Sequence, residues 1–193
     1  MQLDLLKSCC DSLAKAKEVN EILQSRSEEE ETYFKDVVIF LTNAIEVGFK
    51  LIVRNFDEKL VFKSVEFYKT FQEQGFDYVN GRKVETINIH KALKIAKNNL
   101  EANQRPSDEL VELCKYIYNI RNYITHFQFI AKNDDLDVIY EKIDELLKSI
   151  KEYFIKVIPE FDTTLDTTNL APYSGMDYLN DMGQYAAESS LER

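Results

Sequence analysis

Apolar side chains recur every three or four residues along most of the chain, which is the spacing that places them on one face of an α-helix. This pattern predicts six helices, over about residues 2–25, 27–52, 59–74, 89–102, 108–131 and 133–158. Two boundaries carry signals of their own, because Gly75 follows the third helix and Ser107 precedes the acidic first turn of the fifth. The chain is therefore expected to be mostly helical.

Residues 76–89 interrupt the helical pattern. Phe76 and Tyr78 precede an Asn-Gly pair, and Val84 and Ile87 follow it. An Asn-Gly pair between alternating apolar residues is typical of a tight turn between two strands. We expect this segment to form either a small hairpin or a structured loop.

The last 34 residues differ in composition from the rest. Residues 160–193 contain seven acids and a single base, Arg193, so they hold a net charge of −6. The sequence predicts a folded helical domain over residues 1–159 and an acidic, partly flexible tail over residues 160–193. Aromatic residues between Tyr173 and Tyr185 leave two alternatives open for the tail, docking on the domain or disorder.

Composition supports a helical domain and suggests its setting. The chain of 193 residues is 45% hydrophobic and has only five glycines and three prolines, too few for the many turns of an all-β protein. Its three cysteines, Cys9, Cys10 and Cys114, form no C-x-x-C pair, so neither a disulfide framework nor a thiolate zinc site is expected. Without a signal peptide or a membrane-spanning run, a cytoplasmic protein is expected.

Charge restricts the partners of the chain. A net charge of −10 argues against a broad basic surface that would coat nucleic acid or an anionic membrane, but it leaves room for a small basic cleft. The two histidines, His90 and His126, offer little nitrogen for a metal ion. We therefore expect no membrane partner, no metal site and no cofactor.

The most informative residues lie on the predicted fifth helix, where Arg121, Asn122 and His126 stand among apolar residues. At about 100° per residue, Asn122 and His126 share a face, whereas Arg121 lies about 140° around the helix from His126. One helix does not easily direct both side chains at one atom. Two copies packed about a two-fold axis would place the Arg121 of each beside the His126 of the other, so the geometry favours a homodimer.

An arginine, a polar neighbour and a histidine after four intervening residues, late in an all-helical domain, resemble the signature of the HEPN superfamily. Residues 43–50, with Ala44-Ile45-Glu46 followed by Lys50, are similar to an early helix of that family. The resemblance extends over about residues 30–158. It implies an all-α antiparallel bundle of five to six helices, a homodimer, and metal-independent RNA cleavage in a cleft between the two copies.

The chemistry of each site residue follows from its side chain. His126 suits general base or acid catalysis near neutral pH, and the Arg121 guanidinium suits the charge of a phosphorane. Asn122 is assigned a positioning role. Glu46 and Lys50 either support the site, with Glu46 pairing with Arg121 or His126, or form an ordinary ion pair on a helix surface.

Three further residues, Lys115, Tyr123 and Lys132, are candidates for binding RNA. The tyrosines in this region have an alternative role in packing. Basic side chains from two copies would give RNA a local, positively charged surface on an otherwise acidic protein.

Two functions remain from different classes. The first is an endoribonuclease used as a toxin or antiviral effector, with RNA, a second copy and a cognate antitoxin or regulatory protein as partners. The second is a non-catalytic HEPN module that binds a nucleotide or a protein. Some toxins of the family have a tyrosine two residues after the histidine as the acceptor of an adenylyl group, where this chain has Gln128.

Overall fold

The computed structural model describes residues 4–25, 30–75, 84–126, 130 and 133–168. Within these ranges the chain is all-α, which confirms the predicted fold class. The helices are α1 Leu5–Ser25, α2 Glu30–Phe56, α3 Val65–Gln74, α4 Ile89–Asn99, α5 Asp108–His126, α6 Asn133–Val157 and α7 Phe161–Asp166.

Helix α2 lies at the centre of the bundle and packs against α1, α4, α5 and α6. Its apolar stripe, which includes Val37, Leu41 and Ile45, is fully buried. Helices α1 and α2 run antiparallel, as two contacts between them show. The Cys9 thiol of α1 donates to the Ala44 carbonyl oxygen of α2 at 3.2 Å, while Lys15 reaches the ring of Phe40.

The predicted third helix is divided in two. A short 3₁₀ helix covers Glu58–Val61, and α3 begins at Val65 after Ser64, whose hydroxyl accepts a hydrogen bond from the Phe67 amide. A serine side chain competes for backbone donors and so favours a helix start over a helix interior. Gly75 ends α3 with φ of 65°, as its sequence position predicted.

The predicted hairpin falls partly outside the described residues, which resume at Val84. The described part pairs with another segment, because Phe62 and Thr86 form an isolated antiparallel bridge. The Ile87 amide donates to the Val61 carbonyl oxygen at 2.8 Å, and the Lys63 amide donates to Glu85 at 3.0 Å. The chain before α4 is thereby fastened to the chain after the 3₁₀ helix.

Helical structure continues past Pro159, where the sequence placed the end of the domain. Helix α7 packs against α1 and α6, and Phe161 is buried with its ring centroid 5.4 Å from that of Phe154. The Cys10 thiol donates to the Phe161 carbonyl oxygen. The core therefore includes residues that composition assigned to the tail, and residues 169–193 lie outside the described part.

All three thiols are free and buried. Burial raises the pKa of Cys10 to about 11 and holds the pKa values of Cys9 and Cys114 still further above the ordinary thiol value. Cys9 and Cys10 lie between α1, α2 and α7, and Cys114 lies on α5. Within the part of the chain that the structure describes, no helix has the length and apolar character of a membrane span.

Candidate functional site

Helix α5 carries the candidate site and is firmly placed in the bundle. The Ser107 hydroxyl accepts a hydrogen bond from the Leu110 amide at 3.1 Å, and acids follow in the first turn, where the helix dipole favours negative charge. Buried residues of α5 face the core and fix the rotation of the helix: Leu110, Leu113, Cys114, Ile117 and Ile120. The polar residues near its end consequently lie on the remaining faces.

Arg121 and Asn122 lie side by side and are half-buried. The Arg121 guanidinium donates from Nη1 to Oδ1 of Asn122 at 3.2 Å. Cζ of Arg121 also lies 5.8 Å from the centroid of the Tyr118 ring, one helical turn earlier. The Thr125 hydroxyl donates to the Arg121 carbonyl oxygen at 2.9 Å. The guanidinium is therefore held by two neighbours on its own helix.

His126 is the last residue of α5, four residues after Asn122. Residues four apart on an α-helix lie on the same face, so the backbone places His126 one turn beyond Asn122. The imidazole of His126 lies outside the side chains that the structure describes. Arg121 and Asn122 are thus brought into contact, and His126 is placed near them by the backbone of α5.

The second predicted pair, Glu46 and Lys50, lies on α2. Lys50 donates from Nζ to Oε1 of Glu46 at 2.8 Å, and both side chains are largely buried, at 18% and 33% exposed. Within the described residues, their hydrogen bonds join them to each other and not to Arg121, which bonds to Asn122. The pair has the geometry of an i, i+4 ion pair, and its predicted role beside the site stays a prediction.

The predicted RNA contacts have different surroundings. Lys115 donates to Glu112 at 2.7 Å, so a carboxylate lies beside its charge. Tyr123 is 56% exposed, next to Asn122 in sequence. Lys132 lies outside the described residues, as does Gln128. Tyr123 is therefore the predicted contact with an exposed surface, and it lies two residues after Arg121 on a different face of α5.

Sequence reasoning missed one residue at this site, His90. Its ring lies on α4 with the centroid 5.2 Å from that of Tyr118, and the two planes are nearly perpendicular. The ring of Tyr118 therefore contacts both His90 and Arg121. The contact joins residues 28 positions apart, so helical periodicity gave no signal of it. The excess of bases on α4 was the available signal.

Two cavities lie away from Arg121 and Asn122. One cavity of about 720 Å³ lies near the end of α2 beside Phe56, and one of about 700 Å³ lies between α1, α6 and α7. Neither is lined by Arg121 or Asn122. No group of three histidine, cysteine, aspartate or glutamate side chains suited to a metal ion occurs in the described ranges. A dry pocket around Arg121 would need a second surface to cover it.

This arrangement offers a planar cation, an amide that orients it and a histidine one turn further along the same helix. Such a set suits the binding of a phosphate group and proton transfer near it. No protein-family model, curated protein or solved structure matches the chain.

Proposed function

We propose that the protein is a homodimeric, metal-independent endoribonuclease of the HEPN type, acting as a toxin or antiviral effector. One observation carries the proposal: Arg121 and Asn122 are hydrogen-bonded to each other, half-buried, and one turn before His126 on α5. RNA is the substrate that needs the least additional chemistry. Its 2′-hydroxyl is the nucleophile, so the protein supplies proton transfer and charge stabilisation.

The reaction balances with two acid–base groups, one from each copy. His126 accepts the proton of the 2′-hydroxyl, and the 2′-oxygen forms a bond to the adjacent phosphorus. The bond from phosphorus to the 5′-oxygen breaks, and this oxygen takes a proton from an acid, which in a two-fold site is the histidine of the second copy. The products are a 2′,3′-cyclic phosphate and a free 5′-hydroxyl.

Arg121 stabilises the phosphorane that forms along this path. A guanidinium has five N–H donors, and the bond to Asn122 uses one of them. The remaining donors suit two parallel hydrogen bonds to phosphate oxygens, which gain strength as negative charge develops in a partly dry cleft. Asn122 keeps the guanidinium plane fixed and adds no charge.

A second copy completes the site. Arg121 lies about 140° around α5 from His126, so one helix presents them to different directions. Two exposed apolar side chains support a covering surface, because Tyr123 on α5 is 56% exposed and Ile130, four residues after the last residue of α5, is 78% exposed. Two copies that bury these residues would bring each Arg121 to the His126 of the other.

Cleavage of single-stranded RNA in the presence of EDTA tests the proposal. Wild-type protein should leave 2′,3′-cyclic phosphate ends, and His126→Ala should lose at least about 100-fold in rate, the usual contribution of a general base. Arg121→Lys should also lose most of the activity, because lysine keeps the charge and lacks the planar pair of donors. Lys148→Ala, an exposed change on α6, is the control and should cleave as wild type does.

The binding module is the second candidate, and the pairing of Lys115 with Glu112 favours it by removing a free cation from the site. If wild-type protein leaves a varied set of RNAs intact, the ribonuclease proposal fails. A nucleotide that stabilises the fold by about 2.7 kcal/mol at a hundredfold excess over its dissociation constant would then support the module.

A further inference from the structure

The exposed face of α4 differs in charge from the rest of this acidic protein. Helix α4 contains His90, Lys91, Lys94 and Lys97 and has no aspartate or glutamate between Ile89 and Asn99. All four basic side chains are exposed, while the chain as a whole has a net charge of −10. A stripe of one sign on an oppositely charged protein creates a local positive potential.

Two contacts give the direction of this face relative to the candidate site. His90 meets Tyr118 of α5, and Lys97 forms an ion pair with Asp108 at the start of α5, so the two helices run antiparallel. In this exposed ion pair, the negative charge of Asp108 offsets part of the positive potential of Lys97. Lys91 and Lys94 have no ion-pair partner among the described residues. The free positive charge is therefore concentrated at the end of α4 that lies nearest to Tyr118 and Arg121.

The basic face of α4 continues into the site. Tyr118 contacts His90 on one part of its ring and Arg121 on another, so no acidic side chain separates the two within this cluster. At 1.5 Å per residue, the track from Lys94 to His90 and then from Tyr118 to His126 is about 18 Å long. At about 3.4 Å per nucleotide, the axial rise of a stacked helical strand, this length corresponds to about five stacked nucleotides.

We infer that Lys91, Lys94 and His90 form a binding track for the phosphate backbone of single-stranded RNA, which leads the strand to Arg121. The inference rests on the proposed function and names where its substrate lies. Because both His90 and Arg121 already contact the Tyr118 ring, the track recognises charge rather than a stacked base. It should therefore bind strands with little dependence on sequence.

Binding of a strand that resists cleavage tests the track separately from catalysis. A fluorescein-labelled, 20-nucleotide, 2′-O-methyl RNA lacks the nucleophile, and its anisotropy gives the dissociation constant over a range of salt concentrations. Lys91→Gln combined with Lys94→Gln should weaken binding on the order of tenfold at 0.1 M salt and reduce the slope of log K against log salt by about 1.4. Lys148→Gln with Lys151→Gln on α6 makes the same charge change and should match wild type.

Each outcome decides the inference. Loss of binding in the α4 variant alone supports the track, and recovery with arginine at both positions strengthens it. Equal loss in both double variants, or no loss in the α4 variant, overturns the track; if wild type still cleaves unmodified RNA, the proposed function survives. If wild type neither binds nor cleaves RNA, both the track and the ribonuclease proposal are wrong. If wild type binds RNA without cleaving it, the ribonuclease proposal is wrong, and the comparison of the two double variants still tests the track.

Discussion

Asp36 is a carboxyl group buried in the core of the bundle. It lies on α2, is 2% exposed, and its Oδ2 atom has no hydrogen-bond partner within the described structure. Burial raises the pKa of Asp36 to about 6, although the neighbouring Lys35 acts in the opposite direction. In the ionised carboxylate, Oδ2 lacks both water and a partner among the described residues, so at neutral pH this residue opposes folding.

The pH dependence of stability follows from this pKa. An unfolded aspartate titrates near 3.9, so the folded state binds the additional proton; the favourable contribution is complete below about pH 4 and is lost as the pH rises through about 6. Asp36→Asn stays neutral at every pH. Urea unfolding should show the variant more stable than wild type by up to about 3 kcal/mol at pH 8 and by much less at pH 4.5. An equal difference at both pH values would contradict this origin.

The candidate site shows how far single residues can be predicted from sequence. Arg121, Asn122 and His126 were predicted because polar residues interrupted an apolar helix, and the structure shows the contact between Arg121 and Asn122. Asp36 was missed because it lies within an apolar stripe whose spacing is set by its neighbours, and its cost is compensated by packing elsewhere. His90 was missed because its contact with Tyr118 crosses between two helices.

At the scale of the helices, the crossing of α1, α2 and α6 depends on a single glycine, Gly48. A Cβ atom at Gly48 would lie 2.3 Å from Cζ of Phe154 on α6 and 3.0 Å from Sγ of Cys9 on α1. The Phe154 ring is fully buried and also contacts Phe49 and Phe161, so it has no free direction in which to move. The ring lies directly on the α2 backbone because residue 48 has no side chain.

Gly48→Ala should therefore destabilise the protein although alanine is the better helix former. Overpacking costs about 1–3 kcal/mol, whereas the gain in helix propensity is about 1 kcal/mol. We expect a net loss of stability in urea unfolding. In a double-mutant cycle with Phe154→Leu, the combined change should cost less than the sum of the single changes. Additive costs would show that the two side chains do not compete for the same space.

Helix boundaries were predictable where a residue has a specific backbone role. Gly75 and Ser107 end and begin helices as their chemistry indicates. The division at Phe62–Ser64 was missed because the apolar spacing continues through it, while the pairing of Phe62 with Thr86 draws the chain out of the helix. Helix α7 was missed because its acids and threonines have the composition of a tail, and the burial of Phe161 is a long-range effect.

At the scale of the whole molecule, the proposal requires two copies, so disruption of the contact should remove activity without unfolding the chain. Aspartate at both Tyr123 and Ile130 would place charges on the exposed apolar surface beside α5. The double variant should sediment as a monomer at concentrations where wild type is a dimer, and its cleavage of RNA should fall with the dimer fraction. Ile155→Asp, on an exposed part of α6, is the control and should stay dimeric. A monomeric wild type that cleaves RNA would contradict the composite site.

Alkylating reagents should not react with the three thiols in the native bundle, because a protonated and buried sulfur is unreactive. Modification therefore proceeds only as fast as the covering helices separate. Cys9 and Cys10 lie where α1 contacts α2 and α7, and Cys114 lies on α5. The labelling of these thiols therefore reports the opening of two different parts of the bundle. Their relative rates of labelling would distinguish a local separation of α5 from unfolding of the entire bundle.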